Sequence, residues 1–290
     1  MKYTIITDSC CDLNPQLAVQ FEQLTIIPMT YSMNGETSQD TTDPEAIHAY
    51  YDRLRNGDTS TTSQISPAEF YDVYSEHVKN GEKLLCVHFS SGLSGTYNSA
   101  CIAREMVLEN HPDAVIELVD TLSASAGEGL MVYDALVNRD AGMDIAENAK
   151  QLREHALEYA AWFTVDDLHF LKRGGRCSPS AAFFGSMLSI KPVLHVDNEG
   201  KLIARVKVRG RKQALKALAE KFGELGGDTQ RMTFISHGDC EQDALMVRDM
   251  IVEMYGCDPD KVVISHIGPV IGSHSGPGTV AFFFHGKNRG

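Results

Sequence analysis

The chain has 290 residues, 43% of them apolar and 22% charged, a globular composition long enough for two domains and opposed to a disordered chain. Its formal net charge of −13 repels phosphate backbones and anionic lipid head groups unless its cations cluster, which disfavours nucleic-acid binding. No apolar run approaches the roughly 18 residues of a membrane span, and the apolar stretch within Met1–Asp8 is too short for a signal peptide. The seven cysteines, without a C-x-x-C pair, read as reduced thiols in a cytosolic protein, and the histidines show no metal-ligand spacing.

Taken in order, Tyr3–Thr7 reads as a buried strand, and Asn14-Pro15 as the cap and first turn of a helix through Phe21. Leu24–Tyr31 is the next predicted strand, and Asp43-Pro44 opens a helix to about Arg55. Ser66-Pro67-Ala68-Glu69 is a capping box that starts a helix through about Lys79. Leu84–Phe89 is a strand followed by Ser-Gly-rich residues and a helix over Thr96–Glu109. Ala114–Val119 is a strand followed by helices over Ser125–Asn138 and Met143–Glu158. Strands alternating with helices imply βαβ units and a largely parallel sheet.

After residue 158 the pattern changes, and a domain boundary is placed there. Tyr159–Thr164, Lys191–His195 and Lys201–Val208 read as strands, with Asp197-Asn198-Glu199-Gly200 as a hairpin turn between the last two. Helices are expected at Leu168–Lys172, Pro179–Leu188, Lys212–Leu225 and Glu241–Tyr255. Further strands are expected at Met232–Ser236, Val262–His266 and Thr279–Phe284. A hairpin inside an α/β pattern implies a mixed sheet.

Ligands of open α/β sheets sit outside the carboxyl ends of strands, where this chain is rich in small hydroxyls. Thr7-Asp8-Ser9, Thr61-Thr62-Ser63-Gln64, Ser90-Ser91-Gly92-Leu93-Ser94-Gly95-Thr96 and Asp120-Thr121-Leu122-Ser123 either cap helices and form turns or hold an anionic oxygen. The dinucleotide and P-loop fingerprints are absent. Gly92-Leu93-Ser94-Gly95-Thr96 places Thr where a nucleophile elbow needs glycine, although Ser91 or Ser94 with His274 and Asp8 would make a hydrolase triad if the fold assembled them. Arg176, in Lys172-Arg173-Gly174-Gly175-Arg176, either pairs with a ligand carboxylate or bridges to Asp166 or Asp167. Residues 181–190 form an all-round apolar stretch, either core or the lining of a tail-sized pocket. His274 lies in a glycine-punctuated loop, Gly268 to Gly278, and is either structural or close to a ligand. Lys201 to Lys212 is a basic run that includes Arg209 and Arg211, either a solvated surface or a docking patch.

These segments, with Ile6-Thr7-Asp8-Ser9, Thr62-Ser63-Gln64 before Ser66-Pro67, Leu171 to Arg176, Ile190-Lys191-Pro192-Val193-Leu194 and Ile267 to Gly278, together resemble the DegV family of bacterial fatty-acid-binding proteins over nearly the whole chain. The resemblance implies a two-domain α/β fold: an N-terminal parallel-sheet domain (residues 1–158) and a C-terminal mixed-sheet α/β domain (residues 159–290). A long-chain fatty acid such as palmitate, stearate or oleate would lie between them. By motif position Thr62 and Ser91 match the carboxylate-binding hydroxyls, with Gly92 and Ser94 close by and Arg176 and His274 around the head group. The resemblance implies no catalytic residue, metal or cofactor. It implies a separate fatty acid kinase as partner, to which the bound acid is presented, with Arg209 and Arg211 at the docking surface, and membrane contact that is at most transient. Cys177 departs from the pattern, which implies an aliphatic residue there.

Overall fold

The protein is described from a computed structural model covering residues 3–177 and 190–290. The predicted helix Pro179–Leu188 and most of the apolar stretch 181–190 lie outside the described residues. The first strand, β1 (Thr4–Asp8), is wholly buried. Helix α1 (Pro15–Ala18) is capped by Asn14, whose side chain accepts the N–H groups of Gln16 and Leu17. It stops short of Phe21 because the chain tightens into i→i−3 turns, Gln20 bonding Leu17 and Phe21 bonding Ala18, both at 3.1 Å.

The predicted strand 24–31 is two strands in different sheets. β2 (Leu24–Ile27) pairs with β1, whereas β3 (Thr30–Met33) lies in a three-stranded antiparallel sheet with β4 (Glu36–Gln39) and β5 (Ser60–Ser63). Pro28, which has no N–H, stands at the switch. Asn34 and Gly35, at φ 52° and 88°, make the tight turn between β3 and β4. Helix α2 (Pro44–Arg55), capped by Asp43, joins β4 to β5. Ser66 and Glu69 form the reciprocal capping box of α3 (Pro67–Lys79). β6 (Leu84–His88), α4 (Thr96–Asn110) and β7 (Ile116–Asp120) complete a parallel sheet of order β2-β1-β6-β7.

Next come α5 (Ala126–Asp140) and α6 (Ile145–His155). α5 has eleven of its 15 residues buried. It touches β1 and β6 of the parallel sheet and also the second sheet, through β8 (Tyr159–Thr164) and two later strands. Its Leu130, Met131, Val132 and Leu136 are fully buried, each contributing about 1.5–3 kcal/mol. They join Ile5 and Val87 on one side to Phe234 and Phe283 on the other in one core.

After α7 (His169–Arg173) the chain runs through β9 (Ile190–Val196), β10 (Leu202–Arg209), α8 (Arg211–Glu224), β11 (Thr233–His237), α9 (Glu241–Tyr255), β12 (Val262–His266), α10 (Pro269–Ser275) and β13 (Val280–His285). The second sheet has order β10-β9-β8-β13-β11-β12 and is mixed: β11 and β12 are parallel and every other pair is antiparallel. Asp197–Gly200 forms the predicted hairpin turn. Cys177 is buried in the core that contains α5, a position an aliphatic side chain would fill equally well. The seven cysteines are all free.

The stretch Gly268–Gly278 is not a continuous loop. Pro269 starts a short helix, α10, and that helix is embraced by early elements of the chain. Ser273 bonds Tyr50 (2.9 Å) and Ser60 (2.7 Å), and the Tyr51 hydroxyl donates to the Ile267 carbonyl at 3.0 Å. β5 and α10 are thereby held face to face. Among the described residues no helix is long and apolar enough to cross a membrane.

Candidate functional site

A cavity of about 290 Å³ lies between the two sheets, just below the roughly 300–1,000 Å³ usual for small-molecule sites. Phe89 and Leu93 line it from the first half of the chain, and Phe163, Leu171, Val196 and Phe283 from the second. Thr62, Gln64, Ser94, Arg176 and His274 open onto this apolar space. Thr62 is carried by β5 and His274 by α10, and their Oγ1 and Nε2 atoms bond at 2.8 Å. Arg176 follows α7, where its Nε donates to the Leu93 carbonyl (3.2 Å) and its Nη1 to the Gly174 carbonyl. Nη2 has no protein partner among the described residues. The alternative role for Arg176 is not realised: Asp166 pairs with Lys191 (2.7 Å) and Arg211 (3.5 Å), and Asp167 with His169 (2.7 Å). Ser94 stands before α4, its Oγ accepting the Thr96 N–H at 3.2 Å. One guanidinium edge and two hydroxyls, that of Thr62 held by the His274 imidazole, thus meet at an apolar cavity, a donor set suited to a carboxylate.

The family model described as "Uncharacterised protein, DegV family" matches residues 2–287. The chain belongs to the DegV family. It is 41% identical over 291 residues to a DegV domain-containing protein of Clostridium perfringens, with 99% of each chain covered. A DegV domain-containing protein of Streptococcus pyogenes serotype M1 is 39% identical over 294 residues, again with 99% of each covered. Among solved structures, a DegV lipid-binding protein from Thermotoga maritima matches with a TM-score of 0.85 at 32% identity, over 100% of both chains. A structure described as fatty acid binding of a DegV family protein, from Thermus thermophilus, matches with a TM-score of 0.85 at 30% identity, over 99% of this chain and 100% of that one.

Not every residue expected at the site of this DegV chain reaches the cavity. Ser91 is exposed and lies outside the lining, its N–H donating to Asp120 at 3.1 Å, whereas Ser94, further along the same loop, faces inward. Gly92 is also outside the lining. A Cβ there would lie 2.4 Å from the Glu199 carbonyl, so its role is to let the hairpin turn of the second sheet pack against the loop after β6. The hydrolase triad is not assembled. Asp8 accepts from Cys10 N–H, Phe89 N–H and His88, and His274 bonds Thr62 rather than a serine. Of the two arginines expected at a docking surface, Arg209 is exposed on the edge strand β10, but Arg211 is held by Asp243 (2.8 Å) and Asp166 (3.5 Å). Ser125, which also lines the cavity, has no signal of its own in the sequence. It adopts φ 54° at the start of α5 and donates to Asp12 at 2.5 Å.

Burial, with Arg176 and Arg173 nearby, pulls the His274 imidazole from 6.5 down to about 4, so the ring is neutral at pH 7. Between those two values the unfolded chain binds more protons than the folded one. The contribution of His274 to stability is therefore fully present above about 6.5 and is lost as pH falls toward about 4. Asp40, raised by burial to about 6, acts with the opposite sign, and comparison with a His274→Gln variant removes its contribution. In denaturant unfolding of ligand-free protein, the parent should lose more stability than His274→Gln between about pH 7 and about pH 4.5. Parallel pH profiles would mean that the imidazole is not kept neutral by the fold.

Proposed function

We infer that this protein binds one long-chain fatty acid, non-catalytically, in the cavity between an N-terminal unit (residues 1–158) and a C-terminal unit (residues 159–290). Its carboxylate meets Arg176, Thr62, Ser94 and His274, and its tail lies against Phe89, Phe163 and Phe283. The observation that carries this reading is the Arg176 guanidinium, whose Nη2 has no protein partner among the described residues and stands beside a largely apolar space. The lipid-binding and fatty-acid-binding relatives support it. Burying about fifteen methylenes at roughly 0.8 kcal/mol each gives about 12 kcal/mol before ordering costs, so the tail supplies most of the affinity and the polar cluster sets orientation. Native mass spectrometry of protein delipidated and then reloaded with palmitate or oleate should show one acid per chain. Empty protein after loading would overturn the reading.

The bound acid is presented to a separate fatty acid kinase for acyl-phosphate formation. Arg209 supports this finer reading, as an exposed cation on an edge strand of an acidic chain, where local positive potential speeds encounter with an acidic partner. With such a kinase and ATP, Arg209→Glu should slow acyl-phosphate formation at low salt while fatty acid affinity stays at the parent value. An unchanged rate would place the docking surface elsewhere.

A further inference from the structure

A second cavity, of about 820 Å³, backs onto the first. The two share a thin wall: Cys10 lines one and Ser9 the other, and Ser125 on the lipid side donates to Asp12 on the far side. The second cavity has a different chemistry. Asp12, Asp40, Asp43 and Glu241 line it, and no lysine, arginine, phenylalanine, tyrosine or tryptophan is among its described lining residues. Such a lining repels phosphates and carboxylates and lacks the aromatic faces that hold quaternary ammonium groups. Asp12 is buried beside Ser125 and the Gly268 N–H, and Asp40 accepts from Ser9 and the Val270 N–H, so both carboxyls are fixed in place. Asp43 and Glu241 are exposed nearer the mouth.

His237 supplies the observation independent of the acids. It lines the same cavity and is only 1% exposed. Its Nδ1 accepts the Cys240 N–H at 3.3 Å, which leaves the ring proton on Nε2. That N–H has no protein acceptor among the described residues, and the hydroxyls of Ser9, Thr41 and Ser265 stand around the same space. A chelated metal does not fit. Among the described residues, ligand atoms of three such side chains come within 4.8 Å of one another only at His48, Asp52 and Asp239, outside this lining.

We propose that this cavity binds a polyhydroxylated primary amine, the chemistry of an amino sugar, with the ammonium drawn to Asp40 and Glu241 and a ligand hydroxyl accepting from His237 Nε2. The volume suits a ligand of sugar size or larger. The carboxylates discriminate for charge, while His237 and the neighbouring hydroxyls discriminate for oxygen.

The test is isothermal titration of the full chain at pH 7 with glucosamine, glucose, N-acetylglucosamine and magnesium chloride, at matched ionic strength. Glucosamine should bind saturably, and the two neutral sugars should bind at least about tenfold more weakly, the loss expected when one charge-assisted hydrogen bond is removed. Asp40→Asn should weaken glucosamine binding by about tenfold or more. Because Asp40 also holds the Ser9 and Val270 segments, the exposed Glu241→Gln is the second variant and should weaken binding several-fold in a protein that melts like the parent. Glu105→Gln, the same charge change at an exposed site elsewhere, should leave binding unchanged. The proposal is overturned if no saturable binding occurs, if glucose or N-acetylglucosamine binds as well as glucosamine, if magnesium displaces glucosamine, or if both cavity variants bind like the parent.

Discussion

Arg176→Ala should weaken fatty acid binding by about ten- to 150-fold, the loss expected when a charged hydrogen-bonding partner worth about 1.5–3 kcal/mol is removed from a carboxylate. The expectation rests on how the side chain is held. Nε and Nη1 are tied to the Leu93 and Gly174 carbonyls, which fixes the guanidinium plane and aims the remaining edge at the cavity. Because the fork is fixed before the ligand arrives, little side-chain entropy is lost on binding. Arg176→Lys should recover only part of the affinity, since one ammonium cannot hold two carbonyls and a carboxylate in the same plane. The measurement is displacement of a fluorescent fatty acid, with thermal unfolding of the ligand-free variants alongside. Ser94→Ala should move in the same direction by a smaller factor, whereas the exposed Ser91→Ala should bind like the parent. Parent-like binding by Arg176→Ala would place the carboxylate elsewhere in the cavity.

Ser91 and Ser94 also show where sequence reading stops. Both belong to one hydroxyl-rich run after β6, and type and spacing give no reason to prefer either. The turn into α4 decides, sending Ser91 outward to Asp120 and Ser94 inward. Signals that act through local chemistry were legible: Asp43 and Ser66 start α2 and α3 as their side chains require, and Tyr159–Thr164 is a strand at the expected bounds. The small sheet β4-β3-β5 was not legible, because Glu36–Gln39 is exposed along its length and Ser60–Ser63 has no apolar alternation. Its one signal, Asn34-Gly35, is a hairpin turn between polar strands. That omission matters for function, since β5 is what carries Thr62 to His274. Likewise the glycines around His274 read as loop, although Pro269 sets a first helical turn and contacts from α2 and β5 hold the rest. Asp12 and Ser125 are far apart in sequence and meet only through the packing of both sheets on α5.

The largest expected loss of stability is at Arg289. This side chain is fully buried, yet it forms no salt bridge among the described residues; it donates instead to the main-chain carbonyls of Thr121, Leu122, Ala156 and Asp197. Burial pulls its pKa from 12.5 down to about 10, while Asp120 and Asp197 pull the other way, so the group stays charged at pH 7. The four carbonyls belong to the loop between β7 and α5, the turn before β8 and the hairpin turn between β9 and β10. One guanidinium therefore joins the end of the parallel sheet to two corners of the mixed sheet, close to the Gly92–Glu199 contact that brings the same two sheets together. Arg289→Ala would leave a cavity and four carbonyls without their donor, a loss of about 3–5 kcal/mol by analogy with breaking a buried charged network. At roughly 2–4 °C per kcal/mol for a chain of this size class, the melting temperature should fall by about 6–20 °C. Arg289→Lys should recover little of it, because three ammonium protons on a flexible stem cannot span carbonyls from three segments. The loop that Arg289 holds at Leu122 runs into Ser125 on the cavity wall, so fatty acid should dissociate faster from the alanine variant even below its melting temperature. A variant that melts within about 2 °C of the parent would show that the carbonyls are satisfied by water once the guanidinium is gone, and that the two sheets are held by their shared core alone.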